Sequence, residues 1–218
     1  MRFRGHRSRY RRPPSRGPRS SRRRLAFADL VSLILNPSLL TGAFLALVAA
    51  TDEAPGRRVA TAAIAVLFAT VIPVAILFAL RRMGLLSDVE MRVRHERQAV
   101  YGLCIASYVV GGLALLRLGS SWRVWGLFAL LATVGVLAAA LNMKWKVSIH
   151  TMTIASLAAI AIAFFGPAAW PVSLLLPLAA WGRWAAGAHT PFELVVGALL
   201  GGVVGPLGIV VLERLASG

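Results

Sequence analysis

Seven apolar stretches, separated by short polar or turn-forming runs, divide this chain. They lie at about Leu30–Ala50, Val59–Leu80, Gln98–Leu116, Trp122–Leu141, Ser148–Phe165, Trp170–Ala186 and Pro191–Leu212. Most are about 18 to 22 residues long, and as helices they reach across a hydrocarbon core of about 30 Å. A membrane β-barrel would instead show alternating segments of roughly 10 residues. The pattern therefore predicts an all-α, polytopic transmembrane bundle of about six to seven spans. Breakers fall where turns or bends are needed. Asn36-Pro37 bends the first span near its start, Thr51–Arg58 (TDEAPGRR) turns the chain into the second, and Pro73 lies inside that second span. Leu118–Ser121 (LGSS) makes a hairpin of the third and fourth, and Asn142–Lys146 (NMKWK) is a short basic loop. Pro167, Pro171 and Pro177 blur the limits of the fifth and sixth. No internal repeat is apparent.

Composition agrees with the pattern. Hydrophobic residues make up 58% of the chain, charged residues 15%, and the mean hydropathy is +0.73. The formal net charge of +16 is unevenly placed, because eleven arginines lie in Met1–Arg24 and leave about +5 for the rest. The chain thus divides into an Arg-rich tail, 1–24, and a transmembrane domain, 25–218, whose motif-bearing core is 88–212. The tail has almost nothing to bury and reads as disordered. It lacks aromatic interleaving or a folded platform, so a topogenic tail that meets anionic lipid headgroups is favoured, and no specific nucleic acid is expected. The single cysteine, Cys104, sits in an apolar run, which excludes an internal disulfide. The apolar stretch after the tail is too long for a signal peptide and lacks a convincing cleavage site. With seven crossings, the tail, 81–97, 142–147 and 182–190 share one side, which carries 19 Lys and Arg against 5 opposite, or 8 against 5 without the tail. The positive-inside rule places that side in the cytoplasm.

On the same side the topology gathers three polar clusters: Asp88–Arg97, Lys144–His150 and 182–193. Each precedes or opens a span, and helix N-termini with free N–H groups favour anions. With Arg97, Lys146 and Arg183 added, the arrangement suits a phosphate-sized anion at the membrane edge. Glu193 is the only acidic residue between Glu96 and Glu213, and an isolated acid at membrane depth is costly. Placed four residues after His189, its carboxylate can hold one imidazole nitrogen and leave the other free to attack. Thr190-Pro191-Phe192-Glu193 is equally a capping box, in which Glu193 ties off the start of a helix. His150 follows Ser148, a candidate N-cap, and is open to reading as a hydrogen-bonded interface histidine or as a proton donor to a leaving oxygen. Of Arg92, Arg94 and Arg97, the last stands directly at the start of a span; the others read equally as a solvated inside-positive loop.

These residues resemble the signatures of the type-2 phosphatidic acid phosphatase superfamily, the membrane lipid phosphatases related in fold to vanadium haloperoxidases. The signature SRxxxxxHxxxD is matched by Gly182-Arg183, five residues, His189, three residues and Glu193, in a context that includes Gly187, Pro191 and Gly197. The signature PSGH is matched in part by Val147-Ser148-Ile149-His150. For KxxxxxxRP, Arg97 fits the arginine, while Glu90 stands at the lysine and Gln98 at the proline. The resemblance covers about Asp88 to Leu212. It implies that His189 is the nucleophile and forms a phosphohistidine, that Glu193 orients it, and that His150 is the general acid. Arg97, Arg183 and the Ser148 amide or hydroxyl would hold the phosphate, with Arg94, Lys144 or Lys146 supplying the charge of the missing lysine. Ile149 for glycine crowds the phosphate, and Glu for Asp lengthens the orienting arm by one methylene.

The mechanism so implied needs no cofactor and no metal, and the sequence carries no HExxH, DDxxD-type or cysteine-cluster motif. The expected substrate is amphiphilic: a polyprenyl phosphate or diphosphate, or a phosphatidate-like lipid. Two other classes fit the same residues, a non-catalytic lipid-phosphate-binding protein and a small proton-coupled transporter with His150, His189 and Glu193 as its relay.

Overall fold

A computed structural model describes residues 22–87 and 96–217. Residues 1–21 of the Arg-rich tail, Glu90, Arg92 and Arg94 lie outside the described residues, while the last three residues of the tail, expected to be disordered, open the first helix. All the regular elements described are helical. They are α1 (Arg22–Ile34), α2 (Pro37–Asp52), α3 (Arg58–Val66), a π-helical turn (Leu67–Val71) and α4 (Ile72–Arg82). There follow α5 (Arg97–Arg117), α6 (Trp122–Asn142), α7 (Ile149–Phe165), a 3-10 segment (Pro167–Leu174), α8 (Leu175–Ala185) and α9 (Pro191–Ser217). Five helical stretches among the described residues are long and apolar enough to cross a membrane: Arg24–Asp52, Arg58–Arg82, Arg97–Arg117, Trp122–Asn142 and Pro191–Ser217.

The other two expected spans take a different form. Helix α7 has 17 residues, about 25 Å of helix, and ends at Gly166, whose φ of 78° no β-carbon favours. The sixth is not one helix. Pro167 and Pro171 deny the chain regular amide donors, so it runs as a 3-10 helix to Leu174 before the 11-residue α8. The second span shows a related adjustment. Pro73 lacks an N–H, and just before it the helix widens, with the Ile72 amide donating to Leu67 instead of Phe68. The Phe68 carbonyl thus released accepts from Ser107 Oγ on α5 at 2.7 Å.

Helix α7 is the axle of the bundle, with Thr151, Met152, Ile154, Ala155, Ala158 and Ile160 all buried. Helix α9 lies along it, and at Gly201 a β-carbon would run into the backbone of Met152. The main apolar core joins α2, α3, α5, α6, α7 and α9 through Leu45, Ala65, Leu115, Phe128, Ile160 and Ile209. Polar groups concentrate at the two ends, as a bilayer demands. At one end, the α2–α3 turn meets the α5–α6 hairpin. There Glu53, its side chain 1% exposed, accepts from the Ser121 amide at 2.6 Å at the start of α6 and pairs with Arg57 at 3.6 Å. Beside it Arg123 pairs with Asp52 at 3.1 Å. The other end holds the histidines.

Candidate active site

The stretch between α8 and α9 is shaped by two helix-end motifs placed back to back. Helix α8 closes in a Schellman arrangement: the Ala188 amide donates to the Arg183 carbonyl at 3.0 Å and the Gly187 amide to Trp184 at 2.9 Å. Gly187 occupies the left-handed position that this motif requires, at φ 67°. Two residues later α9 opens in a capping box, with Glu193 N–H donating to Thr190 Oγ1 at 3.3 Å and Thr190 N–H to Glu193 Oε2 at 3.2 Å. His189 is the single residue between the motifs. Its backbone amide also reaches Arg183 O, at 3.3 Å, so its position is fixed from both sides.

The two readings of Glu193 are both realised. The Oε2 that takes the Thr190 amide also meets His189 Nδ1 at 2.9 Å. The pair is not the same-face helical pair that the four-residue spacing suggests, because His189 precedes the helix. The carboxylate at the third helical position reaches back across the cap.

Around the His189 ring the structure assembles residues from four elements. Arg97 opens α5, is buried, and donates from Nη1 to the Val147 carbonyl at 3.5 Å. Tyr101, one turn along, hydrogen-bonds with Arg97. Lys146 donates from Nζ to the Ala188 carbonyl at 2.6 Å, which pins the α6–α7 loop to the residue before His189. Arg183, in the last turn of α8, is buried, and His150 lies in the first turn of α7, half-buried beside the Ser32 backbone of α1. Burial, first, and then the charges of Lys146, Arg183, Arg97 and His150 push the His189 pKa down to about 2. The ring is therefore neutral at ordinary pH. A neutral imidazole whose Nδ1–H is given to Glu193 has its lone pair on Nε2.

Of the residues expected from sequence, the structure brings Arg97, Lys146, Arg183, His150, His189 and Glu193 to one end of the bundle. Lys144 is exposed, so Lys146 is the lysine of this loop that reaches the cluster. Ser148 is fully buried and committed to scaffolding. Its N–H donates to the Glu193 carbonyl at 3.4 Å, and its Oγ caps α7 by accepting from Thr151 N–H at 3.5 Å. Arg94 lies outside the described residues. Tyr101, Thr151 and Ser32 were not read from the sequence as parts of this end. Tyr101 alone carried a signal, its four-residue spacing from Arg97.

One turn beyond His150, Ile154 lines an apolar cleft of about 200 Å³. Leu40, Ala43, Phe44 and Leu47 of α2 form one wall, Ile154 and Leu157 of α7 another, and the 3-10 segment helps close it. Among the described residues, no group of three or more His, Cys, Asp or Glu side chains is placed to hold a metal ion. No family model matches the chain, and no curated protein or solved structure matches it either.

Proposed function

We propose that this protein is an integral-membrane lipid phosphatase that works through a phosphohistidine on His189. The observation that carries the reading is the 2.9 Å contact of His189 Nδ1 with Glu193 Oε2, in a buried position that Lys146, Arg183 and Arg97 surround with positive charge. Nucleophile, orienting carboxylate and anion-binding cations are the parts that phosphoryl transfer to nitrogen needs.

In the proposed reaction Nε2 attacks phosphorus, a P–N bond forms, and the P–O bond to the lipid breaks. His150, taking up a proton as the anionic substrate binds beside it, gives that proton to the departing oxygen. Neutral His150 then takes a proton from water, whose oxygen attacks the phosphorus, and inorganic phosphate leaves as the P–N bond breaks. Glu193 accepts the Nδ1–H hydrogen bond throughout, so that proton stays on His189. Arg97 and Arg183 hold the phosphate oxygens, and Lys146 both positions Ala188 and adds charge. Ser148 acts from behind, by fixing α7 to α9. The apolar cleft below His150 suits a hydrocarbon tail, which favours a polyprenyl phosphate or diphosphate or a phosphatidate-like lipid over a soluble ester. By the charge bias of the sequence, the site and the N-terminal tail face the cytoplasm.

The test is inorganic phosphate release by the purified protein in detergent from phosphatidate and from polyprenyl phosphates and diphosphates. It is run with and without EDTA, beside His189→Ala. Release that resists EDTA and is lost in His189→Ala is expected. A folded protein that releases no phosphate from any of these lipids would sink the proposal and leave lipid-phosphate binding as the reading of the site.

A further inference from the structure

The start of α5 is held by its second residue. Arg97 opens the helix as a buried cation, 4% exposed, at the positive end of the helix dipole, where positive charge is disfavoured. Glu96, which precedes it, makes no side-chain cap. Its Oε2 turns back to accept from Ser87 N–H and Ser87 Oγ, both at 3.0 Å. Gln98 supplies the tie: its Nε2 donates to the Ala139 carbonyl, in the last turn of α6, at 3.0 Å. That carbonyl is open to it because α6 tightens as it ends. In a continuing helix Ala139 O would take the Met143 amide, which here goes to Ala140 O at 3.2 Å.

Successive side chains on a helix point about 100° apart, so a tie at Gln98 sets the direction in which Arg97 leaves α5. One turn along, Tyr101 packs with Ala138 of α6 and Met152 of α7, which keeps the helix from rolling about that tie. Arg97 Nη1 then reaches Val147 O at 3.5 Å, while the Ser148 N–H donates to Glu193 O at 3.4 Å. Val147 C=O and Ser148 N–H belong to one peptide group, which is planar and moves as a unit. A single peptide therefore lies between the guanidinium and the residue whose carboxylate meets His189. Both of its bonds are long, so the peptide by itself is a weak hold on Arg97.

We infer that Gln98 is a positioning residue for Arg97, its bond to the end of α6 aiming the guanidinium at the Val147–Ser148 peptide and at the anion site beside His189. This rests on the phosphatase reading for its catalytic consequence. Without the tie, a buried arginine at a helix N-terminus by the membrane edge gains by turning its head toward water, since the long apolar stem lets it snorkel. The site would then lose one of the three cations, Arg97, Lys146 and Arg183, that are gathered there. Proline, which the resembled signature has at this position, carries no side-chain donor, so the tie comes from the residue by which this chain departs from that signature.

The test is a double-mutant cycle on Arg97→Gln and Gln98→Leu in the full-length protein in detergent. It is read by calorimetric titration with inorganic phosphate and by phosphate release from a long-chain alkyl phosphate. Arg97→Gln removes a charged contact and should weaken phosphate binding roughly 10–100-fold, and Gln98→Leu about 10-fold. Because Gln98 acts through Arg97, the double variant should bind within about 2-fold of Arg97→Gln alone. Losses that multiply overturn the inference, as does a Gln98→Leu protein that binds phosphate like wild type. Gln98→Lys keeps a donor for Ala139 O, at the negative end of the α6 dipole, and should bind within about 3-fold of wild type. A Gln98→Lys protein as weak as Arg97→Gln overturns the inference even where the leucine variants do not fold. Wild-type protein that binds phosphate but releases none from the ester refutes the phosphatase reading, and the cycle on binding still judges Gln98. Wild-type protein that binds no phosphate overturns the inference itself.

Discussion

Glu193→Gln separates the two contacts that meet at one oxygen. Glutamine keeps a side-chain acceptor for the Thr190 amide, so the capping box largely survives, and the structural cost should stay below the ~1 kcal/mol typical of a lost cap. The catalytic cost should be far larger. In the proposed reaction, positive charge grows on the Nδ1–H that faces Glu193 as His189 Nε2 bonds to phosphorus. At 2.9 Å and an effective dielectric of about 20, a full unit charge there would interact by about 6 kcal/mol. The Glu193 side chain keeps 20% of its exposure, and the charge is only partly developed in the transition state. About half, ~3 kcal/mol, is a reasonable figure, which is a little over 10²-fold in rate. The amide can also donate to Nδ1, which would put the proton on Nε2 and block attack. Thr190→Ala is the complementary variant. It removes the acceptor of the Glu193 amide but leaves the His189 contact, so it should cost ~1 kcal/mol of stability and less than about 3-fold in rate. Phosphate release and thermal unfolding, measured on the same detergent preparations, read the two effects apart. A Glu193→Gln protein that keeps more than about a third of wild-type release would refute the orienting role and return Glu193 to a cap.

Three further outcomes follow from the same contacts. Glu53→Ala takes the acceptor from the Ser121 amide and the partner from Arg57, so thermal unfolding should show a loss of about 1–3 kcal/mol, with release per folded molecule unchanged because the histidines lie at the opposite end. Ala43→Trp fills the cleft below His150 and should raise KM by roughly 10-fold for long-chain substrates and little for short ones, the difference being several buried methylenes at ~0.8 kcal/mol each; equal KM changes would detach the cleft from the substrate. His189, held neutral by burial and its cationic neighbours, should show no protonation in ¹⁵N spectra between pH 8 and pH 5. Because its folded pKa lies below its unfolded one, its contribution to stability is present above about pH 6.5 and is lost as pH falls from there toward about 2; a smaller acid-induced drop in melting temperature for His189→Gln than for wild type checks the sign.

The sequence was informative where chemistry and periodicity are local. The apolar runs located α2 to α7 and α9, and the Leu118–Ser121 hairpin and Thr51–Arg58 turn stand where their breakers put them. That Arg97, Lys146 and the stretch from Arg183 to Glu193 share one end followed from counting crossings, because alternate loops of a membrane bundle share a face. Long-range pairings were not legible. Nothing near Glu53 announces that it will cap α6, since the Ser121 amide is 68 residues away. The span Trp170–Ala186 looked like one helix because hydropathy counts apolar residues and ignores the amides that Pro167 and Pro171 remove. The resemblance implies a phosphate contact for Ser148, whereas its amide meets Glu193 O and its hydroxyl the Thr151 amide; whether a serine faces a pocket or a neighbouring helix depends on how closely α9 approaches.

That approach connects the fold to the site. Gly197, Gly201 and Gly205 recur every four residues on the face of α9 that meets α7, and a β-carbon at Gly197 would lie 2.5 Å from Thr151 Oγ1 and 2.6 Å from Ser148 O. Small residues let backbones close to a distance that larger side chains forbid. At that distance the Thr151 hydroxyl donates to Leu194 O at 2.9 Å, and the Ser148 amide to Glu193 O at 3.4 Å. Those two bonds tie the first turn of α7, which carries His150, to the first turn of α9, which carries the carboxylate holding His189. The spacing of the histidines is thus set by the absence of β-carbons along the helices below them. On the proposed phosphatase reading, where a misplacement of about 1 Å in a reacting pair can cost roughly 10²-fold in rate, the glycine face and the histidine end form one constraint.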